Sequence, residues 1–127
     1  MTLHAYLLSI CGSNPEAVIV GSLGNISKEL ETIAHDKKIL MRGAMGGAVG
    51  CGLGYALSSP EDVIVIIGEG ALLMHLGSLS TVLKHKLPNL KIKVLNNGCY
   101  ASCGGQKNNF KYIKDYLKDI VEIIDIQ

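Results

Sequence analysis

The chain has 127 residues, enough for one domain with a buried core. Hydrophobic residues make up 48% and charged residues 18%, which excludes a disordered or solvating chain. With 12 basic residues against 11 acidic ones, the net charge is +1; with a single Phe and no Trp as well, nothing suggests a nucleic-acid partner.

Leu3 to Ile10 reads as a short helix, and Met1 to Cys11 lacks the basic start and cleavage site of an export signal. Ala17 to Val20 is a continuous apolar run closing at Gly21, the pattern of a strand buried on both faces. Ser27 to Ala34 places Leu30 and Ile33 three apart on a helix that Ser27 is positioned to cap. Gly46 to Leu57 is a glycine-rich helix in which Gly46, Gly50 and Gly54 recur on one face, a face able to approach a neighbour closely. The uncharged stretch from Gly43 to Pro60 is interrupted by glycines and falls short of the ~20 apolar residues of a membrane span. Asp62 to Ile67 is a second buried strand, ending at Gly68. His75 to Lys86 carries Leu76, Leu79 and Leu83 at helical spacing, with Leu87 next in the series, and Pro88 ends it.

Leu90 to Leu95 alternates, and Lys91 and Lys93 give this third strand a wetter face or a place near an edge. Tyr112 to Lys118 is a last short helix with solvated lysines, and Ile120 to Ile126 is a fourth strand candidate. Alternating strands and helices with short connections predict an α/β fold: a three-layer parallel sheet with helices on both faces, formed by residues 1–127 as a single domain. Cys11, Cys51, Cys99 and Cys103 form no paired metal motif and read as reduced thiols of a cytoplasmic protein.

Ligands of open parallel sheets bind beyond the carboxyl ends of the strands. Three glycine-containing turns lie there: Gly21-Ser22-Leu23-Gly24-Asn25, Gly68-Glu69-Gly70-Ala71 and Asn96-Asn97-Gly98-Cys99. Glycines let backbone N–H groups face an anion, while Glu69 and the two asparagines add the oxygen donors that Mg²⁺ takes beside phosphate. These residues point to a phosphate–metal site, although each turn by itself is also common punctuation.

Gly68-Glu69-Gly70 followed by Asn96-Asn97 resembles the Gly-Asp-Gly and Asn-Asn signature of the thiamine diphosphate enzymes. Other segments resemble the phosphonopyruvate and sulfopyruvate decarboxylases of that family, in the same order. They are Gly24 to Leu30, Gly43 to Leu57, Leu73 to Thr81, Leu95 to Gly98 and Gly104-Gly105-Gln106. The likeness runs from about residue 15 to residue 107.

It implies the diphosphate-binding (PP) domain of a 2-oxo acid decarboxylase, with thiamine diphosphate and Mg²⁺ as cofactors. By resemblance, Glu69, Asn97 and the Cys99 carbonyl hold the metal. Gly24, Gly70 and Ala71 offer backbone contacts to the diphosphate, and Gly68 is a further cofactor-binding residue. Met45 supports the bent cofactor, the Gly43 carbonyl accepts from its amine, and Gly46, Asn97, Cys99, Tyr100 and Ala101 complete the contacts. No catalytic residue is assigned to this chain. The glutamate that activates the cofactor belongs to a pyrimidine-binding domain, so the resemblance implies a separate pyrimidine-binding (alpha) subunit, a hetero-oligomer and a small 2-oxo acid substrate.

Three departures stand out. Glu69 replaces the Asp, Leu23 replaces a Thr, and the domain is expected to be shortened at its C-terminus by about a strand and a helix. They support a second expectation, a non-catalytic or regulatory protein that keeps the fold with a degenerate site.

Overall fold

The computed structural model describes residues 1–100 and 104–126. The elements run α1 (Leu3–Ser13), β1 (Val18–Gly21), α2 (Asn25–Glu31), β2 (Lys38–Leu40), α3 (Ala48–Ser58), β3 (Val63–Gly68) and α4 (Glu69–Met74). They continue with α5 (Ser78–His85), β4 (Leu90–Asn96), a 3₁₀ turn at Phe110–Tyr112, α6 (Lys114–Leu117) and β5 (Glu122–Asp125). Among the described residues the strands form one sheet in the order β2-β1-β3-β4-β5. Every pairing is parallel, with Val20 opposite Val65, Val65 opposite Ile92, and Lys93 opposite Glu122.

The three layers follow from the two-residue period of a strand. Along β3, Val63, Val65 and Ile67 enter a core with Ala48, Val49 and Ala56 of α3, Leu79 of α5, and Phe110. Ile64 and Ile66 point the other way, into a core with Tyr6 and Leu7 of α1 and Ile26 and Leu30 of α2. All five residues from Val63 to Ile67 are buried, as the unbroken apolar run requires. In β4, Ile92 and Val94 join the α3 side, whereas Lys93 bonds to Glu122 of the edge strand β5. The expected wetter face of this strand is thus present, one strand in from the edge.

The structure corrects several local expectations. Ser27 does not cap α2. The helix begins at Asn25, with Gly24 as its N-cap at φ 102°, a conformation reserved in practice for glycine. The Ser27 hydroxyl is instead shared between the Gly21 and Ser22 carbonyls, at 3.0 and 2.7 Å. The helix expected over His75 to Lys86 starts later, as α5 from Ser78, and a separate helix that was not expected, α4, runs from Glu69 to Met74. The strand β2 was not anticipated, being three half-buried residues long. Nor do Gly46, Gly50 and Gly54 form a packing face, because Gly46 precedes α3, and Gly50 and Gly54 are exposed. The close approach falls at Gly52, where a methyl group would lie 2.2 Å from Val65 Cγ2.

Candidate functional site

The carboxyl ends of β1, β3 and β4 converge on a cavity of about 160 Å³. Ser22, Leu23, Asn25 and Ile26 line it after β1, and Gly68, Glu69, Gly70 and Ala71 line it after β3. Asn97, Cys99 and Tyr100 come from the segment after β4, with Met45 reaching in from the loop before α3.

Glu69 is the only buried acid among the described residues, 1% exposed in the first turn of α4. Three donors hold its carboxylate. The Cys99 N–H reaches Oε1 at 3.1 Å and the Asn108 Nδ2 reaches the same oxygen at 3.0 Å. The Asn97 N–H reaches Oε2 at 3.3 Å. The Cys99 N–H is shared with the Asn97 side-chain oxygen, also at 3.1 Å, which fixes the turn. The turn is tied to the residues that come later, with the Tyr100 N–H on the Gln106 carbonyl at 2.8 Å and the Asn108 N–H on the Gly98 carbonyl at 3.0 Å.

Met45 sits between two residues of left-handed backbone, Ala44 at φ 54° and Gly46 at φ 90°. For alanine this conformation costs ~1–2 kcal/mol, and such strain persists where surrounding structure fixes it. Behind the loop, a methyl group on Gly46 would lie 2.6 Å from the Ala71 carbonyl and 3.0 Å from His75. The Met45 turn is therefore seated directly on α4. Gly70 has a different reason to be glycine: a methyl there would come within 2.7 Å of the Tyr100 ring.

Of the residues singled out in the sequence, the cavity gathers Met45, Gly68, Glu69, Gly70, Ala71, Asn97, Cys99 and Tyr100. Gly46 backs the cavity against Ala71. Gly24 lines a neighbouring depression of about 560 Å³, between α2 and β2, and Gly43 is exposed and lines neither. Ala101 lies outside the described residues, as does Cys103. Sequence reasoning missed Asn108, which follows no motif, whereas Ser22 lies within the first of the three expected turns.

One carboxylate and one amide oxygen do not make an all-protein metal cage, and among the described residues there is no group of three His, Cys, Asp or Glu that would. Mg²⁺ is commonly held this way, by one or two carboxylates with substrate phosphates and water completing its shell. Gly68 borders the cavity, and a methyl group there would meet no atom within 4 Å, so its glycine leaves open space for a phosphate. The residues would fit a diphosphate together with Mg²⁺.

A parallel α/β sheet with glycine turns and a buried carboxylate at its carboxyl edge defines a phosphate-cofactor domain. This chain belongs to the thiamine pyrophosphate enzyme family, in its C-terminal TPP binding domain, which matches residues 21–125. It is 46% identical over 94 residues to a phosphonopyruvate decarboxylase of Streptomyces hygroscopicus, covering 73% of this chain and 23% of that protein. It is 41% identical over 93 residues to the sulfopyruvate decarboxylase subunit beta of Methanocaldococcus jannaschii, covering 72% of this chain and 50% of that protein. The match thus spans 23% to 50% of the length of these relatives.

An enzyme from Mycobacterium smegmatis described as thiamin diphosphate-dependent shares the fold, with a TM-score of 0.72 and 19% identity. The likeness covers 99% of this chain and 31% of that one. No helix among the described residues is long and apolar enough to cross a membrane.

Proposed function

We propose that this chain is the thiamine diphosphate- and Mg²⁺-binding subunit of a split, cytoplasmic 2-oxo acid decarboxylase of the sulfopyruvate or phosphonopyruvate type. It acts with a pyrimidine-binding partner subunit. The observation that carries the reading is the buried Glu69 carboxylate at the end of β3, tied to the turn that presents Asn97 and Cys99. The likeness to proteins named as sulfopyruvate decarboxylase subunit beta supports the division into two chains.

When bound, thiamine diphosphate supplies the electron sink for loss of CO₂ from a 2-oxo acid. This chain's residues bind and orient. Glu69, the Asn97 side-chain oxygen and the Cys99 carbonyl hold the metal. Gly24, Gly68, Gly70 and Ala71 leave the backbone free to approach the diphosphate. Met45 is pressed into the cavity by its turn and supports the rings, with the Gly43 carbonyl and Gly46 beside it. Tyr100 and Ala101 border the same site.

The test is to purify the chain from its host under mild conditions, identify what accompanies it by native mass spectrometry, and assay the complex for CO₂ release from sulfopyruvate and phosphonopyruvate. A second subunit, bound cofactor and decarboxylation are expected, and Glu69→Ala in that complex should lower activity at least 100-fold at limiting Mg²⁺. One observation favours the second reading, a non-catalytic protein: three protein donors already engage the Glu69 carboxylate. A chain that co-purifies without cofactor, and whose complex takes none up at excess Mg²⁺, would establish that reading instead.

A further inference from the structure

We propose that Asn108 is a positioning residue for the metal site, which orients the Glu69 carboxylate and leaves Oε2 to face the metal. The inference rests on the function proposed above. Asn108 is 9% exposed and 39 residues distant from Glu69 in sequence. Both ends of its side-chain amide are engaged. Nδ2 donates to Glu69 Oε1 at 3.0 Å, and Oδ1 accepts the Phe110 N–H at 3.1 Å. Phe110 is fully buried in the core beside α3, so the amide cannot swing without disturbing that core. The Asn108 N–H on the Gly98 carbonyl ties the same residue to the turn carrying Asn97 and Cys99.

The two carboxylate oxygens are unequally used. A carboxylate oxygen has about two lone-pair sites. Among the described residues, Oε1 accepts from both Cys99 and Asn108, whereas Oε2 accepts only from the Asn97 N–H, at 3.3 Å. Oε2 keeps a lone-pair site for a cation. Glutamate has one more rotatable bond than the aspartate of the family signature, and Mg²⁺ requires near-ideal octahedral geometry at ~2.1 Å. The Asn108 bond removes that extra freedom. It is the device by which a glutamate serves at a position where the signature has an aspartate.

The experiment uses Mn²⁺ as a paramagnetic stand-in for Mg²⁺, added to the chain in its native complex with thiamine diphosphate, and counts free Mn²⁺ by electron paramagnetic resonance. Asn108→Ser keeps an oxygen for the Phe110 N–H but loses the reach to Glu69. It should weaken Mn²⁺ binding by about 10- to 100-fold, as outer-shell changes at metal sites do. In a Glu69→Asp background the shorter carboxylate no longer reaches Asn108, so Asn108→Ser should cost little more. Asn108→Thr is the second variant if the serine form does not fold, judged by its thermal melt.

Unchanged Mn²⁺ affinity in a folded Asn108 variant overturns the positioning role and leaves the proposed function standing. Equal losses with Glu69 and with Asp at that position overturn it too, because a general structural defect is indifferent to the length of residue 69. A wild-type complex that binds the cofactor without Mn²⁺, or binds neither, overturns both proposals.

Discussion

Tyr6 illustrates how a single residue records the cost of burial. Its hydroxyl is buried without a hydrogen-bond partner among the described residues. Burial, with a smaller push from the negative charge of Glu122, raises its pKa from 10.0 to about 12. The folded chain therefore holds the neutral phenol more tightly than the unfolded chain does. Below pH 10 both states are protonated and this group adds no pH dependence. Between about pH 10 and 12 the unfolded state ionises first, and stability falls.

Tyr6→Phe removes the orphan hydroxyl. It is expected to stabilise the fold by about 1 kcal/mol at pH 7 and to flatten that alkaline loss, both measurable by urea unfolding at pH 7 and pH 11. An unchanged alkaline slope would show that another group causes it. At this scale the meeting of Glu69 and Asn97 at one cavity was legible because the signature fixes their spacing. Asn108 was not, because a hydrogen bond spanning 39 residues leaves no periodic trace.

Helix α3 shows where reading an element from spacing fails. The glycines recur every four residues, so the sequence placed a close contact on their face. The contact is on another face, at Gly52. A methyl group there would overlap Val65, and Gly52→Ala is expected to cost ~1–3 kcal/mol by overpacking. Gly50 and Gly54 meet nothing within 4 Å. Alanine at either should stabilise by about 0.4–1 kcal/mol, through helix propensity and a less flexible unfolded chain. Thermal melts of the three single variants check this, and a loss at Gly50 or Gly54 would reveal a contact to another chain.

The strands β1 and β3 were legible because each is a run of β-branched and apolar residues closed by glycine, and β4 because its apolar residues alternate with Lys91 and Lys93 before Asn96. β2 was invisible, a short edge next to charged residues. α4 was hidden for another reason. Its Gly68-Glu69-Gly70 start reads as a turn, yet the helix follows β3 with no loop between them.

At the scale of the whole molecule, parallel order follows from alternating strands and helices, and it puts β1, β3 and β4 side by side with their carboxyl ends together. Both cores meet the central strand β3, so a ligand gripped at its end stabilises the entire sheet. In the native complex, saturating thiamine diphosphate and Mg²⁺ at a hundred times their dissociation constant should add about 2.7 kcal/mol to unfolding, and EDTA should abolish the part due to the metal. A melt insensitive to both would place the cofactor elsewhere.

The bond between Glu69 and Asn108 has a consequence in time. The two residues are separated by 39 positions, and synthesis adds roughly 5–20 residues per second. For about 2–8 seconds after Glu69 is made, its strongest side-chain partner does not exist. An ionised carboxylate cannot be buried unpaired without a large desolvation cost. The Glu69 end of β3 must therefore stay solvated until Asn108 has been made, and the pocket closes only after that.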